Sequence, residues 1–181
     1  MAFASDLDQI TRAAAGDAAA VRALVSRYSP GVLSLATRML GDRAEAEDVT
    51  QETFIRAWKA LGSWEPRAKF STWLHRVALN LCYDRLRKRR EIFPDELPDH
   101  ADTALGPQDT LDQAQRVKAV EAAISRLPER QSAALTLCAL QGHSQNEAAE
   151  IMDVSVEALE SLLARARRTL RGELLEGRNA S

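Results

Sequence analysis

Two stretches of this chain carry side chains whose types and spacing could do chemistry. The first is FSTWLHRVALNLCYDRLRKRR, Phe70 to Arg90, where Phe70, Trp73 and Tyr83 are interleaved with Arg76, Arg85, Arg87 and Lys88. A loop with Trp64, Arg67 and Lys69 precedes it. Lysine and arginine neutralise phosphates, while an aromatic face accepts an unstacked base, worth about 1–3 kcal/mol per base. Asn80 suits hydrogen bonds to a base edge, although an asparagine inside a helix is as often a local structural device. Such a helix can hold single-stranded or partly melted DNA. The plainer alternative makes Trp73 and Val77 core and the basic residues a solvated face. Trp73 is expected to be partly core in either case.

The second stretch is GHSQNEAAEIMDVSVEALESLLARARRTLR, Gly142 to Arg171. Ser144 with Glu147 makes a capping box. Ala149 lets a neighbouring helix approach, and Asp153 falls where a left-handed residue is expected. Ser155 can cap a second helix. Along that helix Val156, Leu159, Leu163, Ala166 and Leu170 form an apolar stripe. The opposite face carries Glu157, Glu160, Ser161, Ala164, Arg165 and Arg168. Periodicity alone fits an amphipathic hairpin equally well, but the turn chemistry and the arginines point to a DNA-binding helix-turn-helix. Carboxylates at the front of such a helix demand a reason, because phosphates repel them.

The elements that position these residues read as helices. Val21, Leu24, Val25 and Tyr28 recur at helical spacing. Pro30 suits the first turn of a following helix and Gly41 its C-terminal cap. Asp42 with Glu45 opens a further helix, and a long one is expected from about Ser71 to Arg90. Helices near Leu111–Arg126 and Pro128–Leu140 precede the helix-turn-helix. No stretch alternates as a strand would, so the fold class is all-α.

Charge divides the chain. Between Arg56 and Arg90 ten basic residues face two acids, whereas Glu91 to Gln113 holds seven acids and no lysine or arginine. Pro94, Pro98, Gly106 and Pro107 interrupt the acidic stretch, which reads as a flexible linker. Two small helical domains follow, residues 1–91 and 114–181, joined by 92–113. The overall net charge of −2 conceals this segregation.

Other chemistries find little support. His75, His100 and His143 share no metal-ligand spacing with Cys82 and Cys138, and no Gly-rich phosphate loop, GxSxG or HExxH occurs. Neither a metal, a cofactor nor an enzymatic activity is expected. Cys82 lies in an apolar stripe and reads as core, and the separated cysteines suit a reducing cytoplasm. No apolar run approaches the roughly 20 residues that span a bilayer, so no membrane insertion is expected, and no secretory signal is visible.

Taken together, DRAEAEDVTQETFIRAW, FSTWLHRVALNLCYDRLRKRR, LPERQSAALTL and EAAEIMDVSVEALESLLARARRTLR resemble, in order and over nearly the whole chain, the signatures of extracytoplasmic-function (ECF) sigma factors of bacterial RNA polymerase. The resemblance implies a non-catalytic subunit with sigma regions 2 and 4. It would bring core polymerase, through the beta-prime and beta subunits, to promoter DNA for a stress or envelope response. It also implies an anti-sigma partner. Asp48, Gln51 and Glu52 match the surface that binds the beta-prime clamp helices. Lys69, Phe70, Ser71, Trp73, Arg76, Asn80, Arg85, Arg87 and Lys88 match the part that takes the minus-ten element. The helix with Ser155, Glu157, Glu160, Ser161, Ala164, Arg165 and Arg168 matches the reader of the minus-35 element. The rival reading is a helix-turn-helix regulator that binds duplex DNA without joining polymerase, with the N-terminal domain as its sensor.

The chain departs from the family pattern at Glu160 and Leu162, where basic residues are common, and at Asp153, where glycine is. A carboxylate in the major groove can accept from the N4 amino group of cytosine, so Glu160 is a candidate base reader. Glu157, in the first helical turn, also favours the helix dipole.

Overall fold

The computed structural model describes residues 2–63, 68–92, 123–124 and 126–179. Among them there is no strand, and the helices fall into two groups. The first comprises α1 (Ala2–Ala14), α2 (Ala18–Leu40), α3 (Arg43–Ala60), a short 3₁₀ turn (Leu61–Ser63) and α4 (Phe70–Ile92). The second comprises α5 (Glu129–Leu135), which runs into a wider π turn (Thr136–Leu140), then α6 (Gln145–Met152) and α7 (Val156–Asn179).

Local chemistry sets most boundaries. Asp17 caps α2 by accepting from the amides of Ala19 and Ala20 at 2.8 and 3.2 Å, and Arg12 clamps the same carboxylate. Gly41 ends α2 with φ 69°, and its amide returns to the Thr37 carbonyl. Asp42 accepts from the Glu45 amide at 2.8 Å to start α3. The Glu45 carboxylate does not complete a reciprocal box; it pairs with Arg89 of α4 at 2.9 Å.

Pro30 does not open a new helix. It lies inside α2, a single helix of 23 residues that runs on to Leu40. Proline removes the bond to the carbonyl four residues back, but Pro30 and Ser26 are both exposed, so water can satisfy that carbonyl. The sequence pattern around a proline cannot say whether its face is wet.

Leu24, Val32, Leu35, Val49, Leu74, Leu79 and Cys82 are fully buried where α2, α3 and α4 converge. At about 1.5–3 kcal/mol per large apolar side chain, this packing holds the N-terminal unit together. α1 adds Ile10 and Ala13 and is tied down through Asp6, which pairs with Arg27 and accepts from the Tyr28 hydroxyl at 2.6 Å. Burial, with Asp6 adding to it, pushes the Tyr28 hydroxyl up to about 12. The C-terminal core is Leu137, Ile151, Leu159, Leu163 and Ala166, with Ala133, Ala148 and Ala149 allowing close helix approach. The linker expected over 92–113 lies, from residue 93 onward, outside the described residues, as does most of the helix expected at 111–126.

Candidate nucleic-acid interface

On α4, residues 73, 76 and 80 are three and four positions apart and 87 stands a further seven, two turns, on, so Trp73, Arg76, Asn80 and Arg87 form one stripe, with Lys69 just before the helix in line with it. Asn80, Arg87 and Lys69 are exposed; Trp73 and Arg76 are half-buried. Phe70 is different: it is 2% exposed, edge-on to Tyr28 at 5.6 Å and stacked under Trp73 at 6.0 Å and 23°. Phe70 thus backs the Trp73 ring and offers no open face of its own to a base. Ser71 lies to the side, its carbonyl within 2.8 Å of the His75 Nδ1.

Arg85 and Lys88 lie off this stripe. They line a surface groove of about 380 Å³ between α3 and α4, together with Asp48, Gln51, Glu52 and Ile55. Asp48, Glu52 and Ile55 are spaced by four and three residues, which puts them on one face of α3. Asp48 and Gln51 are exposed, while Glu52 is held by Arg56 at 2.9 Å. The groove therefore joins carboxylates and basic groups that sequence reasoning had assigned to different partners. Ile55, 39% exposed beside the carboxylates, was missed; an apolar residue seven positions after Asp48 was the available signal.

The helix-turn-helix is assembled by its caps. Ser144 and Glu147 form the complete reciprocal box. Asp153 takes the left-handed conformation, φ 54° and ψ 52°, between α6 and α7. The Ser155 hydroxyl accepts from the Ala158 amide at 3.1 Å, capping α7. Leu159, Leu163 and Ala166 are buried, with Val156 and Leu170 packed at the core's margin. Glu157, Glu160, Ser161, Ala164, Arg165 and Arg168 are all exposed on the opposite face.

The two front carboxylates are not equivalent. Its own backbone amide and the Ser155 hydroxyl hold the Glu157 carboxyl below its ordinary range, so this group serves the start of the helix. Glu160 stands one turn further on and faces outward.

Trp64 and Arg67 lie outside the described residues. Among the described residues no group of three or more His, Cys, Asp or Glu side chains is placed to hold a metal, and no helix is long and apolar enough to cross a membrane. Both cysteines are free thiols. Cys82 is buried, and that burial pushes its thiol up to about 12, as suits a packing residue. Contacts between the two helical groups also escaped sequence reasoning. Lys69 pairs with Glu147, Arg76 with the Glu150 carbonyl, Arg90 with Glu129, and His75 with His143.

Comparison with known proteins matches residues 24–92 to Sigma-70 region 2 and residues 118–170 to Sigma-70 region 4. The chain is 33% identical over 174 residues to the ECF RNA polymerase sigma factor SigW of Bacillus subtilis, covering 88% of this chain and 91% of that protein. It is 33% identical over 168 residues to the ECF RNA polymerase sigma factor SigE of Mycolicibacterium smegmatis. That match covers 89% of this chain but spans only 65% of the relative's length. Among solved structures, CnrH in complex with the cytosolic domain of CnrY is similar, with a TM-score of 0.70 and 30% identity over 95% of this chain and 97% of that one.

Proposed function

Since this chain belongs to the ECF sigma factors of bacterial RNA polymerase, we propose a division of labour among its surfaces. Residues 1–91 act as region 2, residues 114–181 as region 4, and 92–113 as the connection between them. The α3 face of Asp48, Gln51 and Glu52 engages the beta-prime subunit, with Ile55 as its apolar centre. Carboxylates and an amide around one apolar residue suit a basic helical partner.

The stripe Lys69, Trp73, Arg76, Asn80 and Arg87 takes the melted minus-ten strand. Phe70 supports Trp73 from beneath, and Ser71 contributes backbone at its margin. Arg85 and Lys88 border both surfaces and reach phosphates beyond the core-binding face. α7 enters the major groove at the minus-35 element. Ser155 and Glu157 set its start, and Glu160, Ser161, Ala164, Arg165 and Arg168 face the bases and phosphates. The protein works in the cytoplasm, without catalysis of its own, and is silenced by an anti-sigma partner. The structure of CnrH with CnrY supports that last element by analogy.

The α4 stripe carries this reading: an exposed row of basic and amide groups around a tryptophan backed by a second ring. A duplex-only regulator leaves that stripe, and the carboxylate face of α3, without a use. Run-off transcription from native genomic fragments tests the reading. Core polymerase plus this chain should initiate at discrete promoters. Exchanging Asp48 and Glu52 for Lys should abolish holoenzyme assembly while helix content stays unchanged. Transcription no greater than that of core polymerase alone would refute the proposal.

A further inference from the structure

We propose that α1 positions the base-stacking ring: Asp6 anchors the Tyr28 hydroxyl, and the anchored Tyr28 ring holds Phe70 and, through it, Trp73 at the angle at which a minus-ten base stacks. Asp6 and Tyr28 are thus positioning residues that act through Trp73. The inference rests on the assignment of Trp73 to the minus-ten strand. It adds a helix that lies outside residues 24–92, the span matched to Sigma-70 region 2.

One carboxylate and three rings form a continuous line from α1 to the α4 stripe. The Tyr28 hydroxyl donates to one Asp6 oxygen at 2.6 Å, and the other Asp6 oxygen accepts from Arg27. Tyr28 meets Phe70 edge to face, with ring centroids 5.6 Å apart at 69°. Phe70 in turn stacks on Trp73 at 6.0 Å and 23°. Phe70 is 2% exposed, so its ring is packed with these two rings among its neighbours. Trp73 is half-buried and shares the stripe with Arg76 and Asn80. Its backbone amide donates to the Lys69 carbonyl at 3.1 Å, so the Trp73 ring and the Lys69 ammonium are carried by the same first turn of α4.

Aromatic contacts favour edge-to-face and offset-stacked families of geometry rather than one fixed angle, so ring pairs alone leave a tilt open. A tyrosine closes that freedom when its far end is fixed. Here the hydrogen bond is charge-assisted, and Arg27 holds the carboxylate from its other oxygen. Burial and Asp6 raise the Tyr28 hydroxyl far above neutrality, which keeps it a donor. α1 has a second hold on the same region. It packs on the 3₁₀ turn Leu61–Ser63, and Leu61 is buried, as are Ile10 and Ala13 of α1. α1 thus supports the chain ahead of α4 directly and the start of α4 through Tyr28. Asp6, Arg27 and Tyr28 are all partly exposed, whereas Leu24, Val32, Leu35 and Leu74 fill the core without this bond. Breaking the anchor should therefore loosen the stack and leave the helices packed.

Holoenzyme assembled from core polymerase and the full chain tests the relay. The probe is a single-stranded oligonucleotide carrying the minus-ten element of a promoter mapped by run-off transcription. Asp6→Ala and Tyr28→Phe remove opposite ends of one hydrogen bond. Each should weaken oligonucleotide binding by about three- to tenfold, the range for the net loss of one hydrogen bond. The double variant should be no weaker than either single one, since both remove the same interaction. Asp6→Asn keeps an acceptor oxygen and should recover much of the affinity. Thermal midpoints of these chains should stay near that of the parent. Trp73→Ala separates positioning from plain support: in that background Asp6→Ala should have no further effect. An equal loss with and without Trp73, or a loss of affinity that only tracks a loss of folding, overturns the relay. So does unchanged affinity in Asp6→Ala and Tyr28→Phe where Trp73→Ala still weakens binding, and Trp73 then remains the reader. Unchanged affinity in Trp73→Ala itself overturns the assignment of Trp73, and the relay with it.

Discussion

α4 and α7 are both long helices with an apolar face turned inward and arginines turned outward, yet they hold those arginines in opposite ways. On α4 the guanidinium groups rest on protein acceptors: Arg76 on the Glu150 carbonyl, Arg87 on Asp84 at 2.9 Å, Arg89 on Glu45 at 2.9 Å and Arg90 on Glu129. Aromatic rings lie among them. On α7, Arg165 and Arg168 are exposed, and the Glu157 carboxyl at the helix start is held by its own amide and the Ser155 hydroxyl. Under the proposed division of labour, the difference suits two kinds of DNA. A flexible single strand is gripped by flat faces and by charges already positioned. A duplex edge must be reached by free heads that enter its groove. Exposed pairs of the α4 kind contribute about 0–1 kcal/mol each, so phosphates can replace their protein partners at little cost.

The largest effect that should sharpen this contrast comes from Trp73→Ala. If the ring stacks on a base, affinity for the single-stranded minus-ten strand should fall by about 1–3 kcal/mol, while affinity for minus-35 duplex stays unchanged. Trp73→Phe should restore part of the loss. Equal losses for both DNAs would mean that the substitution loosens the whole fold and that α4 has no separate role.

A narrower effect is expected at Glu160. Glu160→Lys should change the preference at one minus-35 position by about 1–3 kcal/mol if the carboxylate accepts from a cytosine. If it only faces solvent, lysine should strengthen binding to every sequence alike through phosphate attraction. A panel of single-base promoter variants separates the two. A uniform gain with unchanged ranking would remove Glu160 from the readers and leave Arg165 to act alone.

What could be read from the sequence follows from the range of the interactions. The Ser144–Glu147 box, the left-handed Asp153 and the Ser155 cap each involve residues within three positions of one another, and all three occur where spacing places them. The amphipathic stripe of α7 is equally local. By contrast, Arg76 meets Glu150 across 74 residues and Gln141 meets Gly31 across 110. No periodicity encodes such pairings, so the docking of α6 on α4 was invisible. The burial of Phe70 is hidden from the sequence for a related reason. Its type suits base stacking, but Tyr28 of α2 covers it, and only the packed arrangement of helices reveals that. The widening of α5 into a π turn escaped because its apolar residues fit an α-helical pattern just as well.

The smallest expected effect tests whether the turn before α7 is tuned for stability or for position. Asp153 is the one non-glycine residue with positive φ among the described residues. Aspartate tolerates that conformation better than most residues but still pays a steric penalty that glycine avoids. Against this, glycine gives the unfolded chain more freedom to lose. Asp153→Gly should therefore stabilise the C-terminal unit by less than about 1 kcal/mol, seen as a small rise in its thermal midpoint. Minus-35 affinity should stay constant, because the Asp153 amide still reaches the Glu150 carbonyl whatever the side chain. A drop in stability would show that the aspartate carboxylate itself holds the turn. Unchanged stability with weaker duplex binding would show instead that Asp153 fixes the angle at which α7 meets the groove.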